Sequence, residues 1–362
     1  MIAFLIEKFQ DKNFRGGGEK LNFNLISQLI KLGFDIDIFC NNSNVEKDYG
    51  IKNINVLNID KEKFLKEAVK IIPFKEYDAV FSENLSIPCD ICYVHGHTIK
   101  YRQEIVRNSF EGFFTKYFKP QRYFEKIKKA KKQQSMAQQC KKILVPSNLH
   151  KEDIVKNLKI SEDKVFVLPP AIEMPQNTEK SINEVYTFGL SAIGFANKGG
   201  YIALKAFIKF IKKNNAKIKI IYPKWRKNIF LRLFLFFNNL NKKVEFTDMY
   251  ENMADFYKSI DCLLVPSKEE TFGMVITEAM SYGVPVIISS RCGAKDLVKD
   301  GQNGFLFDMK NKNTENLSAK MEEIFQKTPE ELNIITNNAV KTVESLTWED
   351  FASKFVSIYN QK

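Results

Sequence analysis

The chain has 362 residues, enough for two domains of ordinary size, and 44% of them are hydrophobic, which excludes a disordered chain. Its net charge of +12 and pI near 9.1 point to an anionic partner, whether nucleic acid, a membrane surface or a phosphorylated substrate. No apolar run reaches the roughly 20 residues that a spanning helix needs. The longest, Ile229–Phe237, is interrupted by Arg232, and the apolar start Met1–Ile6 meets Glu7 and Lys8 at once, as a buried strand rather than an export signal would. The expected location is the cytoplasm.

In chain order, the pattern is one of strands alternating with helices. An apolar run at Ile2–Ile6 is followed by the triple glycine Gly16–Gly18. A helical spacing then runs through Leu21, Leu25, Ile26, Leu29 and Ile30, stops at Gly33, and gives way to a second strand at Asp35–Cys40. This strand–loop–helix–strand order is the first unit of a parallel sheet. Ala79–Phe81, Ile91–Val94, Ile143–Pro146 and Lys164–Leu168 read as further strands. Pro169, Pro170 and Pro175 begin a polar stretch that reads as a linker. The alternation restarts with strands at Val185–Gly189, Ala216–Tyr222, Val244–Phe246, Cys262–Val265 and Pro285–Ser289. Helices are expected at Tyr201–Lys212, Met253–Ile260, Glu278–Ser281 and from Trp348 to the end. The expected organisation is an N-terminal Rossmann-like domain over residues 1–172, a linker over 173–184, a second such domain over 185–345, and a helix over 346–362 crossing back to the first. In such sheets ligands bind beyond the carboxyl ends of the strands, so the chemistry is sought in the strand-to-helix loops of a cleft between the two halves.

The most informative loop is Pro266–Met280. It follows an apolar strand and holds Glu270 and Glu278 separated by seven residues, with Gly273 between them. Glycine lets backbone amides approach a ligand, and the following helix presents its positive end, which suits a diphosphate. Carboxylates at both ends suit the hydroxyls of a sugar and a ribose, which donate hydrogen bonds.

This segment resembles the E-x7-E signature of the retaining family-four glycosyltransferases of the GT-B fold. Gly283-Val284-Pro285-Val286, Gly293–Val298 and Asp300–Leu306 are similar to that family's following strand entry and two loops. The triple glycine, Leu168-Pro169-Pro170 and Lys198-Gly199 match in the expected order. Within the family the likeness is nearest to the lipopolysaccharide-core α-glucosyltransferases. The resemblance implies an α/β GT-B enzyme that moves a sugar from a nucleoside diphosphate to a glycan hydroxyl, with retention and without a cofactor, in bacterial cell-surface glycan assembly. Glu278 would hold the ribose and Glu270 the donor-sugar hydroxyls. Thr271, Phe272, Gly273 and Met274 would line the sugar and diphosphate, and Gly16, Gly17 and Gly18 would lie under the phosphates. Lys198 would neutralise the leaving diphosphate. His95 would stand close to the donor sugar, with His97 as the alternative. The arginine usual in the family after the glycine of the preceding strand is here Leu190, which leaves Lys224, Arg226 or Lys227 to compensate. No D-x-D metal motif stands at a strand end, so no metal is expected.

A second feature is the stretch Lys100–Lys142, with thirteen Lys or Arg against three acids and interleaved aromatics from Phe110 to Phe124. Such a pattern suits an anionic membrane surface, where each basic residue contributes about 1 kcal/mol. The expected acceptor is a lipid-linked glycan met at the inner face of the cytoplasmic membrane, and no nucleic acid is expected. A solvated helix face and a nucleic-acid groove are the competing readings of this stretch, and Trp225–Phe237 is a second basic-aromatic candidate or a core helix. For the whole chain, the alternatives are a sugar-nucleotide epimerase of the same fold and a nucleic-acid-binding α/β protein. His150, after a helix start, is expected at the surface. Cys89 and Cys92 form a CxxC pair that reads as two small buried side chains rather than a zinc or redox site, because no second pair completes a tetrahedron.

Overall fold

The computed structural model describes the chain except residues 11–16, 46–48, 84, 86, 88, 102–119, 180–182, 249–252 and 362. The chain divides into two compact units, Met1–Ala171 with Leu346–Lys362, and Ile172–Ser345.

The N-terminal unit is built on a parallel sheet of seven strands: β1 (Ile2–Phe9), β2 (Ile36–Ser43), β3 (Asn53–Val56), β4 (Ala79–Glu83), β5 (Ile91–Tyr93), β6 (Lys142–Val145) and β7 (Val165–Val167), in the order β3-β2-β1-β4-β5-β6-β7. Its helices among the described residues are α1 (Gly17–Lys31), α2 (Lys61–Ile71), α3 (Pro120–Gln139) and α4 (Asn148–Leu158). Ile2 to Ile6 are all buried, as in a parallel strand covered on both faces. Ile2, Phe4 and Ile6 pack with Leu25 and Leu29 of α1, while Ala3 and Leu5 join Phe64 and Ala68 of α2 and Ile154 and Leu158 of α4. Gly33, at φ +86°, ends α1 in the left-handed conformation that glycine adopts without penalty.

The C-terminal unit holds a six-stranded parallel sheet: β8 (Tyr186–Ser191), β9 (Ala216–Ile221), β10 (Val244–Thr247), β11 (Cys262–Val265), β12 (Val286–Ser289) and β13 (Phe305–Phe307), in the order β10-β9-β8-β11-β12-β13. Its helices are α5 (Gly200–Phe210), α6 (Ile229–Phe237), α7 (Met253–Lys258), α8 (Met274–Ser281), α9 (Asn313–Phe325) and α10 (Pro329–Glu344). Phe188, Phe207 and Phe210 form the centre of its core, with ring centroids 5.3 to 6.5 Å apart about Phe188. At α10, Thr328 and Glu331 form a reciprocal capping box around Pro329.

The last helix, α11 (Trp348–Asn360), belongs to the N-terminal unit. Phe351 and Phe355 pack on Tyr93 and Phe81, and Tyr359 meets Phe34 edge-on. Lys142 donates to the carbonyls of Ile358 at 2.6 Å and Tyr359 at 2.9 Å, supplying a cation and donors to the carbonyl end of the helix. Lys141 pairs with Asp90 at 2.8 Å. Two of the thirteen basic residues of Lys100–Lys142 therefore serve the protein itself. Residues 102–119 of that stretch lie outside the described residues, while Lys126, Lys128, Lys129, Lys131 and Lys132 are exposed on α3.

The structure corrects several expectations. β3 and α2 are not among the expected elements although each has a local pattern: Asn53–Val56 alternates polar and apolar residues but is only four residues long and half-exposed, and α2 places Phe64 and Ala68 at helical spacing on its buried side. Phe305 and Leu306, read as part of a loop, belong to β13, where Phe305 is fully buried. His150 is buried rather than at the surface: it is the third residue of α4, its backbone N–H capped by Ser147 Oγ at 3.2 Å. Cys89 and Cys92, by contrast, are both buried as expected, with Cys89 Sγ 3.9 Å from the Sγ of Cys140.

Candidate active site

Each sheet has one place where the strand order reverses direction, and there the loops leaving neighbouring strands diverge and open a crevice. In the C-terminal unit this place lies between β8 and β11. The loop after β8 carries Lys198, and the loop after β11 carries Glu270 to Gly273. The two loops are locked together by backbone. Lys268 N–H donates to Asn197 O at 2.9 Å, and Gly199, at φ +72°, passes so close to Pro266 that a Cβ there would lie 1.9 Å from the Pro266 carbonyl oxygen. A third loop is tied in through Glu270 N–H to Arg291 O at 3.1 Å, Gly293 N–H to Glu270 O at 2.9 Å and Ala294 N–H to Phe272 O at 2.9 Å.

This frame places the Lys198 ammonium directly on the Glu270 carboxylate in a half-buried ion pair. Gly273 caps α8 at φ +98°, a conformation open to glycine, and a Cβ there would press on Ile276 and on the Glu270 side chain. The first amides of α8 have no intrahelical acceptor, so the helix start offers donors and a partial positive charge beside this pair. Thr271 and Met274 are half-buried and Phe272 and Gly273 buried around it. One turn along α8, Glu278 accepts a hydrogen bond from Tyr257 Oη at 2.6 Å, and Tyr257 stacks on Tyr282 at 5.4 Å between centroids. Burial first, and the Glu278 charge second, push the Tyr257 hydroxyl well above its ordinary value, so it remains a donor. Leu190, at the family's arginine position, is a buried side chain of β8. Of the basic residues that could compensate for it, Arg226 is committed to Asp248 at 2.6 Å, while Lys224 and Lys227 are exposed.

In the N-terminal unit the strand order reverses between β1 and β4. Gly17 and Gly18 open α1 after β1; Gly16 lies outside the described residues. A Cβ on Gly18 would sit 3.5 Å from Glu83 Oε2 and 3.7 Å from His95 Nε2, so the helix start lies directly over these two side chains. Glu83 ends β4 and is held by Asn22 Nδ2 at 2.9 Å, and His95 Nε2 is 3.8 Å from its carboxylate. Burial pushes the Glu83 carboxyl up and the His95 imidazole down, to about 4, so His95 is neutral near pH 7.

The two candidate histidines have different surroundings. His97 is not in the Glu83 cluster: its Nδ1 donates to Asp153 Oδ2 at 3.0 Å, and its ring stacks on Tyr101 at 4.3 Å. Asp153 also accepts from Thr98 N–H at 3.0 Å, Thr98 Oγ1 at 2.7 Å and Asn157 Nδ2 at 2.9 Å. Burial alone would raise its carboxyl, but these donors outweigh it and hold the group below its ordinary value. His97, His150 and Asp153 are close enough together to resemble a metal site. However, His150 Nε2 faces the Gly96 carbonyl at 3.1 Å and must donate to it, and His97 Nδ1 donates to Asp153. With these hydrogen bonds in place the nitrogens that converge on Asp153 carry protons, and the ring nitrogens left with lone pairs, His97 Nε2 and His150 Nδ1, are buried without a hydrogen-bond partner among the described residues. The cluster ties the end of β5 to α4.

Sequence reasoning missed Glu83, Asn22, Asp153 and Tyr257. Glu83 had a signal, a lone carboxylate closing the apolar run Ala79–Phe81 at a strand's carboxyl end. Asn22 and Tyr257 had none, since each meets its partner only through packing.

Two family models match the chain: Glycosyltransferase Family 4 over residues 15–174 and Glycosyl transferases group 1 over residues 191–342. Among curated proteins, an uncharacterized glycosyltransferase of Methanocaldococcus jannaschii is 27% identical over 242 residues, 62% of this chain and 61% of its own length. The chain thus matches about three fifths of that relative. Among solved structures, WaaG, a glycosyltransferase involved in lipopolysaccharide biosynthesis, superposes with a TM-score of 0.71 at 15% identity, covering 100% of both chains. Anabaena HepE in complex with UDP and glucose superposes with a TM-score of 0.72 at 14% identity, covering 99% of both. The two family models meet in the arrangement of two parallel-sheet units described above, and the chain belongs to the GT-B glycosyltransferases, family four in its N-terminal half and group 1 in its C-terminal half.

Proposed function

We propose that the chain transfers a sugar from a nucleoside diphosphate to a glycan hydroxyl with retention of anomeric configuration and without a metal. The observation that carries this reading is the C-terminal cluster: the Lys198–Glu270 pair at the start of α8, with Glu278 braced by Tyr257 one turn along. Glu278 accepts hydrogen bonds from the ribose hydroxyls, and Tyr257 holds the carboxylate so that little side-chain freedom is lost on binding. Glu270 accepts from donor-sugar hydroxyls and steers the Lys198 ammonium. As the bond between the anomeric carbon and the phosphate oxygen breaks, negative charge grows on the diphosphate. Lys198 and the first amides of α8 stabilise it without reorganisation. The acceptor oxygen bonds to the same face of the anomeric carbon, and its proton passes to the departing phosphate oxygen. In the N-terminal unit the neutral His95 imidazole serves as a hydrogen-bond partner for a sugar hydroxyl, with Glu83 holding its surroundings. Complexes of HepE with UDP and glucose support a uridine nucleotide as the donor class. The membership of WaaG in lipopolysaccharide biosynthesis supports a lipid-linked cell-surface glycan as acceptor. In this reading the enzyme works at the inner face of the cytoplasmic membrane, with the basic face of α3 turned to anionic lipid. The epimerase and nucleic-acid readings are not favoured by these relationships.

The test is incubation with a panel of nucleoside diphosphate sugars, following nucleotide release and assigning the product anomer by proton NMR. Release from one donor with the anomeric configuration kept is expected. An inverted product, or no release from any donor, would refute the proposal.

A further inference from the structure

Helix α6 is apolar on the wrong side as well as the right one. Leu231 and Leu235 are buried in the C-terminal core, as a crossover helix between β9 and the edge strand β10 requires. The opposite side of such a helix is ordinarily polar. Here it carries Ile229, Phe230, Leu233, Phe236 and Phe237, which are 44% to 77% exposed. At 100° per residue these five side chains fall within one arc of about 120°, so they form a single stripe rather than scattered exposures.

The charge within the stretch of chain that carries the stripe is of one sign. From Pro223 to Lys243 there are six basic residues and no acid. Arg226 is paired with Asp248 at 2.6 Å, and Lys243 donates to the neutral Asn215 at 2.6 Å. Lys224, Lys227, Arg232 and Lys242 are exposed at the ends and flank of the stripe. Arg232 lies beside the apolar arc, where its stem can run along the stripe while the guanidinium stays in water.

We propose that α6 is a membrane-docking element whose Phe230, Leu233, Phe236 and Phe237 insert into the interface of an anionic bilayer, with the surrounding lysines and arginines on the lipid phosphates. Apolar insertion together with surface cations is the combination that holds a peripheral protein on anionic lipid. A protein partner would be expected to meet a mixed or acidic rim; here Asp248 is taken up by Arg226, and the charges flanking the stripe from Lys224 to Lys242 are otherwise all basic, which matches a negatively charged plane. This surface lies in a different unit from the basic helix α3, and it does not depend on the donor site being assigned correctly.

Flotation with vesicles of phosphatidylcholine alone, and of phosphatidylcholine with phosphatidylglycerol, tests the proposal on the full chain. The parent protein should float with the anionic vesicles and lose partitioning as salt rises, because the attraction is screened beyond a Debye length of about 8 Å. The triple substitution Phe230→Ser, Phe236→Ser and Phe237→Ser should lower the partition coefficient by about tenfold or more. It should leave the thermal midpoint and UDP affinity unchanged, since these side chains are outside the core and outside the donor cluster. Arg232→Glu should weaken binding in the same direction without altering apolar area. A set of Lys→Gln changes on α3, at Lys126, Lys128, Lys129, Lys131 and Lys132, separates the two surfaces. If that set abolishes flotation and the phenylalanine variant floats like the parent, α6 is not a docking element. If the parent ignores vesicles and forms a dimer that the phenylalanine variant does not, the stripe meets a second copy of the chain and the proposal is overturned.

Discussion

Replacing Gly199 by alanine should unseat Lys198 and destabilise the C-terminal unit together. The added Cβ would lie 1.9 Å from the Pro266 carbonyl oxygen and 2.6 Å from the Pro266 carbonyl carbon. A carbon and an oxygen need roughly 3.2–3.5 Å at contact, so the loop after β11 must retreat by more than 1 Å or the start of α5 must tilt away. Gly199 also stands at φ +72°, which costs an L-residue about 1–2 kcal/mol by itself. Strain and overlap together suggest a loss of about 2–4 kcal/mol, of the order seen for overpacked cores. For a domain of this size that corresponds to a fall in Tm of about 5–15 °C. Because Lys198 is the adjacent residue and meets Glu270 across the contact being forced apart, the variant should also bind the donor nucleotide at least about tenfold more weakly at a temperature where it remains folded. Calorimetry or fluorescence-monitored melting gives the first quantity, and isothermal titration with a nucleoside diphosphate the second. A Gly199→Ala protein with an unchanged Tm and unchanged nucleotide affinity would show that the two loops are not held by this contact.

Glu278→Ala should weaken nucleotide-sugar binding by about 1.5–3 kcal/mol, the cost of a charge-assisted hydrogen bond, while Tyr257→Phe should produce a smaller loss in the same titration because it frees the carboxylate without removing it. Glu270→Ala should lower turnover more than donor affinity, read from steady-state kinetics with saturating acceptor. Activity should survive exhaustive treatment with EDTA; loss restored by manganese or magnesium would reject the assignment of the phosphate charge to Lys198 and α8. A further expectation concerns pH. Burial holds the His150 imidazole near 4 in the folded protein against about 6.5 when unfolded. Between those values the unfolded chain binds a proton that the folded chain refuses, so stability falls as pH drops from 6.5 toward 4 and the loss ends below 4. Asp153, His97 and the Gly96 carbonyl face this ring, and the pH dependence of the parent minus that of His150→Gln isolates its part, at most about 3 kcal/mol. Denaturant titrations across that range that are parallel for the two proteins would refute the burial argument.

The architecture was legible because its signals are local. Apolar runs of four to six residues separated by helical spacings specify parallel strands under helices, and the order of Pro266–Met280 and the loops after it marks the segment to which the proposed donor site is assigned. Glu270, Glu278, Gly273 and Lys198 could be named because each lies in a short contiguous motif after a strand. Edge elements such as β3 were harder to read, since a four-residue, half-exposed strand is too short for its Asn-Ile-Asn-Val alternation to stand out from a loop.

What the sequence by itself determined is therefore the alternation of elements and the two-unit division, and it named the loops to which the proposed chemistry is assigned. What only the tertiary structure decided are the pairings between residues far apart in the chain. Glu83 lies under Gly18 and beside His95, Asp153 draws His97 away from that cluster, Tyr257 braces Glu278, and Lys142 caps the helix that ends the chain. His95 and His97 are two residues apart, yet one stands beside a carboxylate under a helix start and the other is locked to α4. The outward stripe of α6 is of the same kind: eight of its nine residues are apolar and spread round the helix, and only the packing of Leu231 and Leu235 reveals which side remains uncovered. The physical reason is common to all of these. Periodicity and turn chemistry act over a few residues, whereas burial and hydrogen-bond partners are set by strand order and helix packing, which bring together positions whose separation in sequence carries no information about their distance.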